Sequence, residues 1–281
     1  MLVSSPSLIG RVEELDLLEH ALAGARSGQG GTVFLISDAG LGKSRMVQEC
    51  GRLAAERGMA VLRGRATAAG ATVPYRPLTE ALFSLVRSGG VPDDPELAPY
   101  RLALGRLIPE WRGPVHHASD DDSPVVLAES ALRLLSVTGR GRGALICLSD
   151  LQDCDAETMS IIEYLVDNLA GQPVLLVASL RSAPASAALD LARSSARSRA
   201  AQVLDLGPLD HGQVGALAAA CLGIGPGQLP ECLLPWLAQN AEGNPFVIEE
   251  LLHGAVDSGA LVRTGDGWQL VEGVPDRKSV V

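Results

Sequence analysis

The sequence predicts an α/β protein, a five-stranded parallel sheet covered by helices and followed by a small helical lid subdomain. Three observations lead there. Short apolar runs alternate along the chain with segments whose apolar residues recur at helical spacing. The runs are continuously apolar rather than alternating, as strands buried on both faces require. After Gly207 the pattern changes to helical segments without strands.

Each element follows from its own residues. Residues 12–26 place Leu15, Leu18 and Leu22, with Ala21 and Ala25, on one helical face, and GQGG ends that helix. Residues 32–36 (TVFLI) form a β-type run, 44–57 a helix closed by Gly58, and 59–66 (MAVLRGRA) a second strand. A loop with Gly70 and Pro74 leads to a helix around 78–86. Polar, turn-rich stretches at 88–99 and 113–124 flank a short helical piece near 102–107. Residues 125–137 are helical, 144–148 (ALICL) a compact strand and 156–170 an amphipathic helix. Strands at 173–180 and 202–206 complete the sheet. Helices at 209–222, 229–241 and 246–258 follow, then a hairpin over 260–271 turning at Gly265–Gly267. The expected division is a core over 1–207, a helical lid over 208–258, and a hairpin with the truncated start of a further domain over 259–281.

Composition narrows the function classes. Apolar residues make up 47% and charged residues 20%, the balance of a globular chain with a sizeable core. A net charge of −10 argues against this chain gripping nucleic acid or an anionic membrane by itself. The five cysteines show no C-x-x-C spacing and three sit in apolar surroundings, which reads as free thiols in a reducing compartment. No targeting segment opens the chain, and no run reaches the roughly 18 apolar residues of a membrane span. The expectation is a cytoplasmic protein.

Residues 37–44 (SDAGLGKS) lie between an apolar strand and a helix, the setting of a phosphate-binding loop. Such a loop binds phosphates with consecutive backbone N–H groups and the positive end of the following helix. Gly40 and Gly42 lack side chains where the chain must wrap a phosphate, Lys43 would reach the outer oxygens, and Ser44 would ligate Mg²⁺. Ser37 stands where G-x-x-x-x-G-K-[ST] wants its first glycine. Of the 23 Lys and Arg residues only Lys43 and Lys278 are lysine, and a compact ammonium suits a ring of amides better than a planar guanidinium does. Chance would place a lysine there as well, so this observation supports the loop without establishing it.

A nucleotide hydrolase also needs a carboxylate at a neighbouring strand tip. ALICLSD offers Ser149 and Asp150, where two acids are common. Adjacent strand residues face opposite ways, so Asp150 does not simply replace an acid at 149. Weak Mg²⁺ binding and slow hydrolysis are the expectation. Arg181 ends the next strand, either as a cation that senses a terminal phosphate or as a surface arginine. Gly243-Asn244-Pro245-Phe246 reads by itself as a helix stop and start.

The segments LIGRVEELDLLEHAL, SDAGLGKSRMVQE, VLRGRATAAGATVPYRPLTEAL, LSDLQDCDAET, PVLLVASLR, LDLGPLD and AEGNPFVIEELLHGAVDSGAL occur in order. Together, over about residues 8–275, they resemble the nucleotide-binding region of the large ATP-binding LuxR-type transcriptional regulators. These are signal-transduction ATPases with numerous domains (STAND), relatives of AAA and Orc-type P-loop NTPases. The resemblance implies an ATP/ADP site with Mg²⁺, in which Ile9-Gly10-Arg11 lies beside the adenine and Pro245 packs on the base. It implies nucleotide contacts at Arg11, Asp38, Ala39, Gly40, Leu41, Gly42, Lys43, Ser44, Arg45 and Pro245, and metal ligation by Ser44 and Asp150. Asp150 and Arg181 take the catalytic positions. The chain departs from the family at Ser37, at Ser149 in place of the first acid, and at Asp153 where tryptophan is usual. Family members continue into a winged helix, helical repeats and a DNA-binding helix-turn-helix. The ending at VPDRKSVV therefore reads as a fragment or truncated product, with DNA reached only through downstream domains.

Three function classes follow: a nucleotide-binding switch, an ATPase that self-associates so that a neighbour supplies a missing group, and a folded remnant that binds no nucleotide. HHASDDD (116–122) reads as a solvated loop rather than a metal cluster, and the locally basic stretch 182–201 as an exposed helix.

Overall fold

A computed structural model describes residues 5–68, 74–89, 92–108, 111, 123–264 and 267–271. The chain divides into two compact units. One contains Glu13–Ser37 and Met46–Asp205, and the other Met1–Val12, Asp38–Arg45 and Leu206–Val281.

The first unit is built on a five-stranded parallel sheet in the order β2-β3-β4-β1-β5. Its strands are β1 (Gly31–Ser37), β2 (Ala60–Arg65), β3 (Ala144–Ser149), β4 (Val174–Arg181) and β5 (Gln202–Asp205). The α/β expectation is met. The central strands β1, β3 and β4 are apolar and buried almost throughout, because helices cover both their faces. The edge strands depart from the continuous apolar pattern. In β2, Leu62 and Gly64 are buried while Arg63 and Arg65 are exposed, and both ends of β5 are exposed. An edge strand is covered less completely, so its outer face carries polar groups.

The helices of this unit are α1 (Val12–Arg26), α2 (Lys43–Glu56), α3 (Arg76–Gly89), α4 (Arg101–Leu104), α5 (Pro124–Gly139), α6 (Ala156–Asn168) and α7 (Ala187–Ser198), except that Val12 of α1 and Lys43, Ser44 and Arg45 of α2 belong to the second unit. Leu18, Leu22 and Ala25 form the buried stripe of α1. Pro124 opens α5, where its missing N–H costs nothing. The Asp155 side chain caps α6 by accepting from Thr158 N at 2.7 Å, and Ser186 caps α7. The core runs through Phe34, Ile36, Leu62, Ile146, Leu148, Leu176, Leu180, Leu104 and Ile161, each contributing about 1.5–3 kcal/mol by burial. The basic stretch does form a helix, α7, but one face (Ala188, Ala192, Ser195) is buried and Arg193 makes a two-pronged ion pair with Asp205.

Burial pushes the Cys50 and Cys154 thiols up to about 12 and raises Cys147 as well. They are neutral core groups rather than nucleophiles. In the second unit the Cys221 thiol is likewise pushed up to about 12, and all five cysteines are free.

The second unit holds α8 (His211–Leu222), α9 (Leu233–Ala241), α10 (Pro245–Asp257) and a hairpin of β6 (Leu261–Thr264) with β7 (Gly267–Leu270). Residues 265–266 of its turn fall outside the described residues, as does the HHASDDD stretch. Leu217, Leu222, Leu233, Leu237, Ile248, Leu252 and Leu261 make a separate core. Helix α9 starts later than the sequence predicts. Leu229 precedes Pro230 and is extended (φ −69°, ψ 140°), because a residue before proline is kept out of the helical region. Among the described residues no helix is long and apolar enough to cross a membrane.

The backbone of α3 packs directly on β2 at Gly64, where a Cβ would collide with the Pro77 carbonyl oxygen. Gly64→Ala should therefore cost about 1–3 kcal/mol by denaturant unfolding. Gly31→Ala, at an open position of β1, should cost less than about 1 kcal/mol.

Candidate nucleotide site

The residues that the sequence picks out for a nucleotide site fall into two groups, one in each unit. The loop Asp38–Arg45 belongs to the second unit. It turns through positive φ at Gly40 (84°) and Gly42 (97°), conformations that glycine reaches without strain. Helix α2 starts at Lys43, and its first turn carries Lys43, Ser44 and Arg45 with no acid to oppose an anion. Ser44 is exposed.

The carbonyls of four consecutive loop residues each accept a hydrogen bond. Lys43 Nζ donates to Asp38 O at 2.8 Å, and Asn244 Nδ2 to Ala39 O at 3.1 Å. Phe246 N donates to Gly40 O at 3.3 Å and Arg11 Nη2 to Leu41 O at 3.4 Å. Arg11 is only 6% exposed and also donates to Gly207 O. Through Leu41 O it is tied to the loop, and through Gly207 O to the segment before α8. Arg45 pairs with Glu249 of α10 at 3.2 Å and donates to Ser5 O.

Local sequence explains how these donors arrive. Gly10 has φ 70°, and the Gln213 side chain lies so close that a Cβ there would sit 2.6 Å from Gln213 Cδ. Gln213 also completes a capping box with Asp210 at the start of α8. Gly243 has φ 74°, leaves no room for a side chain beside the Leu209 carbonyl, and accepts from Leu209 N at 2.8 Å. The segments LIGR, DAGLGKS, LGPLD and GNPF thus meet in one unit. Pro245 takes the first position of α10, and Asn244 is its cap, accepting from Phe246 N at 3.1 Å and Val247 N at 3.4 Å. The sequence pointed to Pro245 and missed Asn244, whose role shows only once the loop lies beside it.

The second group lies at the C-terminal edge of the sheet. Ser37 ends β1 beside Arg181, which ends β4, and Ser37 O accepts from Ser182 N at 3.2 Å. The φ of Ser37 is not among the positive values, so serine in place of the loop's first glycine brings no backbone strain. Ser149 ends β3 in register with Arg65. Asp150 follows in the left-handed region (φ 60°), with its N–H 3.4 Å from Ser179 Oγ and its Oδ2 accepting from Arg65 Nε at 2.7 Å. Arg65 is therefore a site candidate that sequence spacing could not reveal. The exposed Arg181 is held through its backbone, which donates to Gln152 Oε1 at 3.1 Å. Asp153 receives a bond from Gln152 Nε2 at 3.1 Å. Among the described residues no cluster of three or more His, Cys, Asp or Glu side chains is placed to hold a metal.

The fold resembles several solved proteins. The ORC2 protein of Aeropyrum pernix, in ADPNP–ADP complexes, aligns over 90% of this chain and 64% of its own, at 16% identity and a TM-score of 0.55. A Walker-type ATPase of Pyrococcus abyssi aligns over 90% and 69%, at 10% identity and a TM-score of 0.53. These likenesses show the P-loop NTPase fold. An uncharacterised protein of Rhizobium meliloti (strain 1021) is 26% identical over 273 residues, 87% of this chain, and this chain spans 24% of its length. Residues 7–177 match the family described as the AAA ATPase domain, and the chain belongs to that family.

Proposed function

We propose that this chain is an ATP/ADP-binding switch module of a LuxR-type (STAND) transcriptional regulator, with slow hydrolysis at most. The observation that carries the reading is the loop itself. Gly40 and Gly42 adopt positive φ, and an acid-free first turn of α2 begins at Lys43. Membership in the AAA ATPase family supports nucleotide as the ligand. The resemblance of the ordered segments supports the regulator.

In this reading the N–H groups of residues 39–44 and the Lys43 ammonium hold the phosphates, Arg11 and Arg45 brace the loop, and Pro245 packs on the base. Arg181 reads the terminal phosphate. The resemblance assigns Mg²⁺ to Ser44 and Asp150, oxygen donors that suit it, and its remaining ligands would be phosphate and water oxygens. The metal would supply charge stabilisation to the phosphates. Two features weaken its site: Ser149 contributes a hydroxyl where an acid is usual, and Asp150 is already paired with Arg65. Residues 1–207 act as the core, 208–258 as the lid, and 259–281 as the start of a winged-helix region. DNA is reached through domains downstream of this chain. The retained Asp150 carboxylate favours a second reading, turnover in an assembly of copies in which a neighbour supplies a cation.

Calorimetric titration with ADP and ATP tests the proposal. Binding should be micromolar, and Lys43→Ala should weaken it roughly 10- to 150-fold, the value of a charge-assisted contact. No heat from the folded wild-type chain would refute the reading. Ser149→Asp should make ATP binding more dependent on Mg²⁺ and raise phosphate release, and an unchanged Mg²⁺ response would remove Ser149 as the cause of weak turnover.

A further inference from the structure

We propose that Asn244 is a positioning residue for the phosphate loop, one that makes nucleotide affinity depend on the N-terminus of α10. The proposal rests on the nucleotide-binding reading above and deepens it. The Asn244 amide works at both ends. Its Oδ1 accepts from Phe246 N and Val247 N, which fixes the first turn of α10. Its Nδ2 donates to Ala39 O, and the next loop carbonyl, Gly40 O, accepts from Phe246 N.

A trans peptide sets each carbonyl antiparallel to the N–H that follows it. Holding the carbonyls of Ala39, Gly40 and Leu41 on their donors therefore turns the N–H groups of Gly40, Leu41 and Gly42 away from those donors. That orientation is what a loop must have before an anion arrives. A loop without those ties would pay the ordering entropy at the moment of binding, and affinity would fall accordingly. The contact is close. A Cβ at residue 40 would lie 2.6 Å from Asn244 Oδ1, so Gly40 makes room for Asn244 as well as for phosphate. The Arg45–Glu249 pair adds a second link between the loop and α10. Coupling of this kind is reciprocal, so bound nucleotide in turn favours the docked position of α10.

Asn244→Ser separates positioning from capping. Serine caps a helix about as well as asparagine and brings no charge near the loop, but it is too short to carry the amide donor to Ala39 O. The variant should melt within a few degrees of wild type and bind ADP at least about tenfold more weakly. Wild-type affinity in the serine variant would overturn the proposal. The ligand-free chain provides a readout that needs no nucleotide, since the Gly40 amide resonance should shift and exchange faster in the variant. If wild type binds no ADP, the nucleotide reading fails, and this amide still decides whether Asn244 orders the loop. An unchanged Gly40 amide would refute the positioning role. Should the serine variant not fold, Asn244→Thr carries the same readouts.

Discussion

A loop that offers its N–H groups to phosphate must satisfy its carbonyls somewhere else. A buried or crowded carbonyl without a donor is expensive, and an unsatisfied loop turns its polar groups wherever they find partners. In this chain four residues at three places supply the donors: Lys43 at the start of α2, Arg11 near the N-terminus, and Asn244 and Phe246 at the start of α10. Much of the second unit is arranged to deliver them. Gly10 admits the Gln213 side chain, Gln213 closes the cap of α8, and Gly243 lets the backbone pass Leu209. Short motifs more than 200 residues apart are parts of one hydrogen-bonded cluster.

The sheet imposes a different constraint. Its buried central strands end at Ser37, Ser149 and Arg181, so polar groups gather where the strands stop. There the chemistry is muted. Asp150, the residue after the β3 tip, faces the guanidinium of Arg65, and a hydroxyl occupies position 149. A divalent cation gains most from uncompensated negative charge, and this edge supplies little of it. The pairing is half exposed, with Arg65 70% accessible, so it is a modest interaction that a competing cation can displace.

Much of this was legible in the residues. Periodicity located the strands and most helices to within a few residues, with Gly58 marking the end of α2. The turn of the loop was legible because its two glycines and the strand and helix on either side form a contiguous pattern. What sequence left hidden depends on partners far apart along the chain. Arg65 and Asp150 are 85 residues apart, and Asn244 and Ala39 are 205 apart. Asn244 also looks ordinary in sequence, since asparagine before proline is what any helix start would use. The edge strands misled for a related reason: apolar content was read as two-sided burial, whereas β2 and β5 have a neighbour on one side only.

The most direct test is amide hydrogen exchange at Gly40, Leu41 and Gly42, followed by NMR with and without saturating ADP. Selective slowing of these amides, absent in Lys43→Ala, is the expected result. It would mean that the loop receives phosphate on the N–H groups that its tied carbonyls leave available. Unchanged exchange at all three, in protein shown to be saturated with ADP, would contradict that picture and place the nucleotide elsewhere.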